Sequence, residues 1–175
     1  LSVTGGTYGY GITPASSGTG FSTTAPWYDA SVVTISAGTV STISQSNTVP
    51  AQNIAVLAPN QPLGGFDVKI RGEAISVQQM VFNITAGGDQ AENITNISLV
   101  DQNGAVVAGP VDAVSTATDS AYGTVTFTDS VTFPVGDTTL RLQGQLGSSF
   151  TVNDTVQAST TPSSQWTTVT GRNTG

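Results

Sequence analysis

The chain has 175 residues, of which only 9% are charged, with a formal net charge of −7. That length suits one domain carrying an arm, and the acidic balance excludes nucleic acid as a partner and leaves no polybasic membrane anchor. There is no Cys and no His, so disulfides, thiol catalysis and the usual neutral-pH general base are all excluded.

The first thirty residues, Leu1 to Ala30, are rich in Gly, Ser and Thr and contain Pro14 and Pro26. They also carry Tyr8, Tyr10, Phe21, Trp27 and Tyr28, more large rings than a flexible linker needs. Such rings call for burial, either against the chain's own domain or against a neighbour. This segment reads as an extended N-terminal arm over residues 1–30, and residues 31–175 as the folded domain.

From Ser31 onward the apolar period is two. Phe66, Val68 and Ile70 alternate with Asp67, Lys69 and Arg71, and Ile75, Val77 and Gln79 alternate with Ser76 and Gln78. The same rhythm returns in Val125 and Phe127, Val131 and Phe133, and Leu140, Leu142 and Leu146, with threonines between. Alternation of this kind predicts strands with one buried and one wet face. Turns are expected at Ala58 to Gly65, at Asp101 to Ala105 with its Asn-Gly pair, and at Pro134 to Asp137. No window carries a helical stripe. About nine or ten strands fit an all-β, immunoglobulin-like β-sandwich over Ser31 to Gly171.

The two ends of the chain share a phrase: "SVTGGTYGYGI" at Ser2 to Ile12 and "TTVTGRNTG" at Thr167 to Gly175. Together with "TISAGTVS", "LGGFDVKIRGEAISVQQMVFNI", "AENITNISLVDQNGAVVAGP" and "GTVTFTDSVTFPVGDTTLRLQGQL", this ending resembles β-sandwich repeat units of large secreted bacterial surface and filament proteins, of the S-layer, adhesin or pilus-like kind. The resemblance spans Val32 to Gly175. It implies a structural unit in which Val-Thr-Gly closes one unit and leads into the next, and it carries over no catalytic residue.

Candidate chemistry is sparse. Asp101 and Asn103 open like a calcium loop but lack its later bidentate Glu, so a hairpin reading suffices; Asp89, Glu92, Asp112 and Asp119 could meet only after folding. Four sequons, at Asn83, Asn93, Asn96 and Asn153, are candidate glycosylation sites. The single lysine, Lys69, lies opposite the apolar face and reads as a solvated edge charge rather than an isopeptide donor. A carbohydrate platform would have to use Trp27, Tyr28 and Trp166.

These readings predict a non-enzymatic structural subunit outside the cell or at its surface, without cofactor or metal. The partner is expected to be a second copy of the chain, head to tail, or an adjacent tandem repeat. Joining would proceed by β-strand donation, with Val3, Tyr8, Tyr10, Ile12 and Val169 at the contact. The alternative is a carbohydrate-binding or adhesin module that engages surface glycans. No apolar run reaches the roughly 18 to 20 residues of a membrane span, and an export signal is expected to be already removed or to lie upstream.

Overall fold

The computed structural model describes residues 3–4, 11–12 and 37–174. The chain divides into two units, Leu1–Ile35 and Ser36–Gly175. In the first, β1 (Val3–Thr4) and β2 (Gly11–Ile12) form an antiparallel ladder, Val3 opposite Ile12 and Thr4 opposite Gly11.

In the second unit the strands are β3 (Thr39–Gln45), β4 (Gln61–Arg71), β5 (Ile75–Gly87), β6 (Ile94–Val100), β7 (Val106–Val111) and β8 (Val114–Ser115). They continue with β9 (Tyr122–Phe127), β10 (Val131–Phe133), β11 (Gly136–Leu146), β12 (Thr155–Ser159) and β13 (Trp166–Gly171). One 3₁₀ turn, Ala91–Asn93, and one helical turn, α1 (Pro162–Gln165), are the helical elements among the described residues. The excess over the expected strand number has a simple cause. At Met80 the central strand β5 pairs with β9 through Phe127 on one side and with β13 through Trp166 on the other. Strands β9 and β10 therefore share one flank of β5, and β12 and β13 share the other. Each flank is a single sheet position filled by two short strands.

All pairings between the named strands are antiparallel. One sheet runs β3-β4-β11-β6-β7, and the second runs from β8 through β9 to β5, then to β12 and β13. The two sheets face each other across one apolar core, so the unit is an all-β sandwich. Val68, Ile70, Ile97, Leu99, Leu140 and Leu142 come from the first sheet; Ile75, Val77, Met80, Phe82, Ile84, Val125 and Phe127 come from the second. Phe82 joins them, its ring centroid 5.2 Å from that of Phe66 in the facing sheet and 5.9 Å from that of Phe127 beside it.

The alternation predicted for β4 and β11 is the one observed: Phe66, Val68, Ile70, Leu140, Leu142 and Leu146 are all buried. In β5 it changes phase. Ile75 and Val77 are buried, then Met80, Phe82, Ile84 and Ala86, so the expected inward place of Gln79 passes to Met80. On the neighbouring strand Thr168 stands at φ 51° opposite this shift, between Thr167, which pairs with Gln79, and Val169, which pairs with Val77. A β-branched residue at positive φ is rare, and here it lets β13 follow the reversal without losing register.

The turn at Asp101–Ala105 joins β6 to β7 as a hairpin, as expected. Its backbone closes through Asp101 N–H donating to the Ala105 carbonyl at 2.9 Å, with Gly104 at φ 83°. Lys69 needs a correction: β4 lies between β3 and β11, so Lys69 is on the solvent face of an interior strand. There its Nζ stands 3.1 Å from Asp137 on β11.

Candidate functional site

A β-sandwich has edges on two sides, and the sides of this one differ. On the first, β7 carries Pro110, which has no N–H to offer, and the Gly109 N–H is taken by the Asp129 carboxylate at 2.9 Å. The facing edge of the second sheet is made of short pieces, the two-residue β8 beside β9 and the three-residue β10. These are the ordinary means of blunting an edge.

The second side is formed by β3 in one sheet and by β12 with β13 in the other. None of the three has a second strand partner among the described residues. Their sequences, TVSTISQ, TVQAS and WTTVTG, contain no charge and no proline. Between β3 and β12 lies a groove of about 1150 Å³, lined by Ile43, Leu63, Phe66, Phe150, Val156 and Ala158 among others. Its one ionisable lining residue is Asp154, whose carboxylate is already bonded to the Thr151 N–H at 2.7 Å. Val152, 89% exposed, and Val56 stand in the same lining. Gly64 keeps the groove's inner end tight, since a Cβ there would lie 3.3 Å from that of Ala158.

The two ends of this unit meet on one carboxylate. Buried Glu73, in the turn before β5, accepts from the Asn173 N–H at 2.5 Å, from the Thr174 N–H at 3.2 Å and from the Thr174 hydroxyl. The Gly38 N–H, just before β3, also donates to it. The Thr174 hydroxyl contributes most to holding the Glu73 pKa below its ordinary value; burial opposes this, and the amides of Asn173, Thr174 and Gly38 reinforce it. A side chain at Gly38 would come within 2.7 Å of the Glu73 carbonyl oxygen. Glycine is therefore what lets the chain pass there.

Two further carboxylates tie loops. Burial works to raise the Asp89 pKa, but bonds from the Ser149 hydroxyl at 2.6 Å, the Gln90 amide and the Asn93 side chain at 2.9 Å prevail and lower it. The Ala105 N–H, at 2.9 Å, does most to lower that of Asp101, with the Asn103 N–H adding to it at 2.8 Å. This internal ring of donors accounts for the calcium-like opening as turn chemistry. Among the described residues no three acidic side chains stand together as a metal cluster.

Of the expected contact residues, Val3 and Ile12 face each other in the β1–β2 ladder, Tyr8 and Tyr10 lie outside the described residues, and Val169 is exposed on the unpaired edge of β13. The sequons separate by environment. Asn83 is half-buried on the central strand with its Oδ1 accepting from Gln165 at 2.8 Å, and the Asn93 amide is bound to Asp89. Asn96 and Asn153 are exposed, both at positive φ. Trp166 is corrected outright as a sugar platform: it is 4% exposed, stacked on Phe133 at 5.4 Å, and its Nε1 donates to Thr160 at 3.0 Å. Trp27 and Tyr28, its expected companions, lie outside the described residues. The groove and the Glu73 clasp were missed from sequence because both join segments far apart in the chain. Compared with family models, with curated proteins and with solved structures, the chain matches none.

Proposed function

We propose that the protein is a structural subunit of an extracellular filament or surface layer, built on an immunoglobulin-like sandwich and joined head to tail by donation of its N-terminal arm. The observation that carries the reading is the contrast between the two sides of the sandwich. One is blunted by Pro110 and by a two-residue strand, whereas the other leaves, among the described residues, three uncharged, proline-free edges beside a groove lined by both apolar and polar side chains. An edge of that kind is a template for pairing with another chain unless something covers it. Repeated crossing of the chain from sheet to sheet, from β4 to β5, β5 to β6, β7 to β8 and β10 to β11, supports the immunoglobulin-like type.

Every residue from Leu1 to Tyr28 is uncharged, so the arm meets such an edge without desolvating an ion. Strand addition then supplies main-chain hydrogen bonds for affinity and pockets for specificity. The test is a chain lacking residues 1–12 mixed with the intact protein. The shortened chain is expected to accept an arm but donate none, so polymers become shorter as its fraction rises. If it assembles as well as the intact chain, the arm is not the connector.

A further inference from the structure

Resting on that reading, we infer that the seat for the arm is the groove along β12, and that its occupant is the segment Tyr8–Ile12 of a second copy. The notion of an edge near Thr167–Gly171 leaves two strands to choose from, and the backbone separates them. Strand β13 is interrupted by Thr168 at φ 51°, which drops out of the ladder with β5 and turns its backbone out of the extended conformation that an incoming strand needs. Strand β12 pairs with β5 through all five of its residues in unbroken register, Thr155 opposite Gly87 to Ser159 opposite Asn83. A regular inner ladder leaves a regular outer one, with N–H and C=O groups spaced for an incoming strand.

Among the described residues the sandwich is also one strand short on this side. The first sheet has five strand positions, and the second has four once β9 with β10 and β12 with β13 are each counted as one. Strand β4 is covered by β12, where Gly64 meets Ala158. Strand β3 lies one position further out, with Val40 and Ile43 only half-buried. A fifth strand beside β12 would lie over β3 and close the groove.

The segment Tyr8-Gly9-Tyr10-Gly11-Ile12 has the pattern such a strand needs. Extended, it puts two tyrosines and an isoleucine on one face, which suits the groove's apolar side chains such as Leu63 and Val156, and only glycine on the other. Five residues match the five of β12, about 17 Å at the usual strand rise. In the described structure Gly11–Ile12 pairs only with Val3–Thr4, a ladder of two residue pairs. Donation to β12 would exchange this pairing of two residues for one of five.

The absence of cysteine makes the seat directly testable by disulfide trapping. Chains carrying Tyr10→Cys are mixed with chains carrying Val156→Cys, or separately with chains carrying Val169→Cys, and oxidised; the linked peptides are then identified by mass spectrometry. Ala158→Cys, half-buried on the same face of the strand, replaces Val156→Cys if that variant fails to fold. The expected result is a dimer linked between positions 10 and 156, or 10 and 158, with no link to 169. A link to 169 alone moves the seat to β13 and leaves arm donation standing. A doubly substituted chain that links only within itself shows the arm capping its own sandwich and overturns the inference. With no link at all, the mass of the intact chain decides how much is lost: a polymer removes only this seat, and a monomer removes the donation reading as well.

Discussion

Replacing Phe82 by alanine is expected to cost about 3–5 kcal/mol of stability, the usual range for a large ring removed from a core. Phe82 is fully buried on the central strand and, among the described residues, is the one ring in contact with aromatic neighbours in both sheets, Phe66 across the core and Phe127 beside it. Its removal leaves a cavity bounded on both sides by β-strands, whose ladders hold the backbone apart and prevent collapse into the space. A stability of roughly 5–15 kcal/mol is typical of a domain, so the variant is expected to lose about a fifth or more of it. Urea denaturation of wild type and Phe82→Ala checks this through the shift in midpoint at unchanged slope. A change below 1 kcal/mol would show that the two sheets do not pack through this ring.

Acid is expected to loosen the sandwich at the ends of its strands before the core. Glu73, Asp89 and Asp101 all have pKa values below their ordinary ones in the folded chain. A carboxylate whose folded pKa is depressed contributes stability that is fully present above its unfolded value, about 3.9 for Asp and 4.3 for Glu. That contribution disappears as pH falls through the lower folded value, because protonation is then easier in the unfolded chain. The melting temperature is therefore expected to be flat from pH 7 to about pH 5 and to fall progressively below about pH 4. In Glu73→Gln the fall is expected to be shallower, since the carboxylate that clasps Asn173, Thr174 and Gly38 no longer titrates. The same melting temperature at pH 3 as at pH 7 would contradict the clasp.

The strand pattern was legible wherever polar and apolar residues alternate without interruption, as at Phe66–Ile70 and Leu140–Leu142. It failed at Gln78–Gln79, where two adjacent glutamines hide which of them marks the change of face; the side chain that settles it is Met80. Trp166 was misread because its neighbours, Gln165 and Thr167, are polar and suggest a wet surface. What buries it is Phe133, on the opposite flank of β5 from its own strand. Edge identity was beyond the sequence for a related reason. Each strand can be recognised from its own residues, but its neighbours are set by pairings such as β4 with β11, whose partners lie some seventy positions apart. The same holds for the clasp, where Glu73 and Asn173 are separated by 100 residues.

The two sides of the sandwich differ in what they offer a second chain. A polymer needs a donor and an acceptor on each copy, and the acceptor must be an edge that its own chain leaves free. Pro110 and the two-residue β8 weigh against one side, while on the other β12 has no outer partner among the described residues. Association through a strand ladder and buried rings would be slow to reverse, as suits a fibre or a sheet under tension.

The most direct measurement is the sedimentation-velocity profile of the intact chain at micromolar concentration and neutral pH. Arm donation predicts a series of species at multiples of the 17.7 kDa chain, growing with concentration and insensitive to salt because no ion pair holds the joint. A single species of one-chain mass across the concentration range would contradict it.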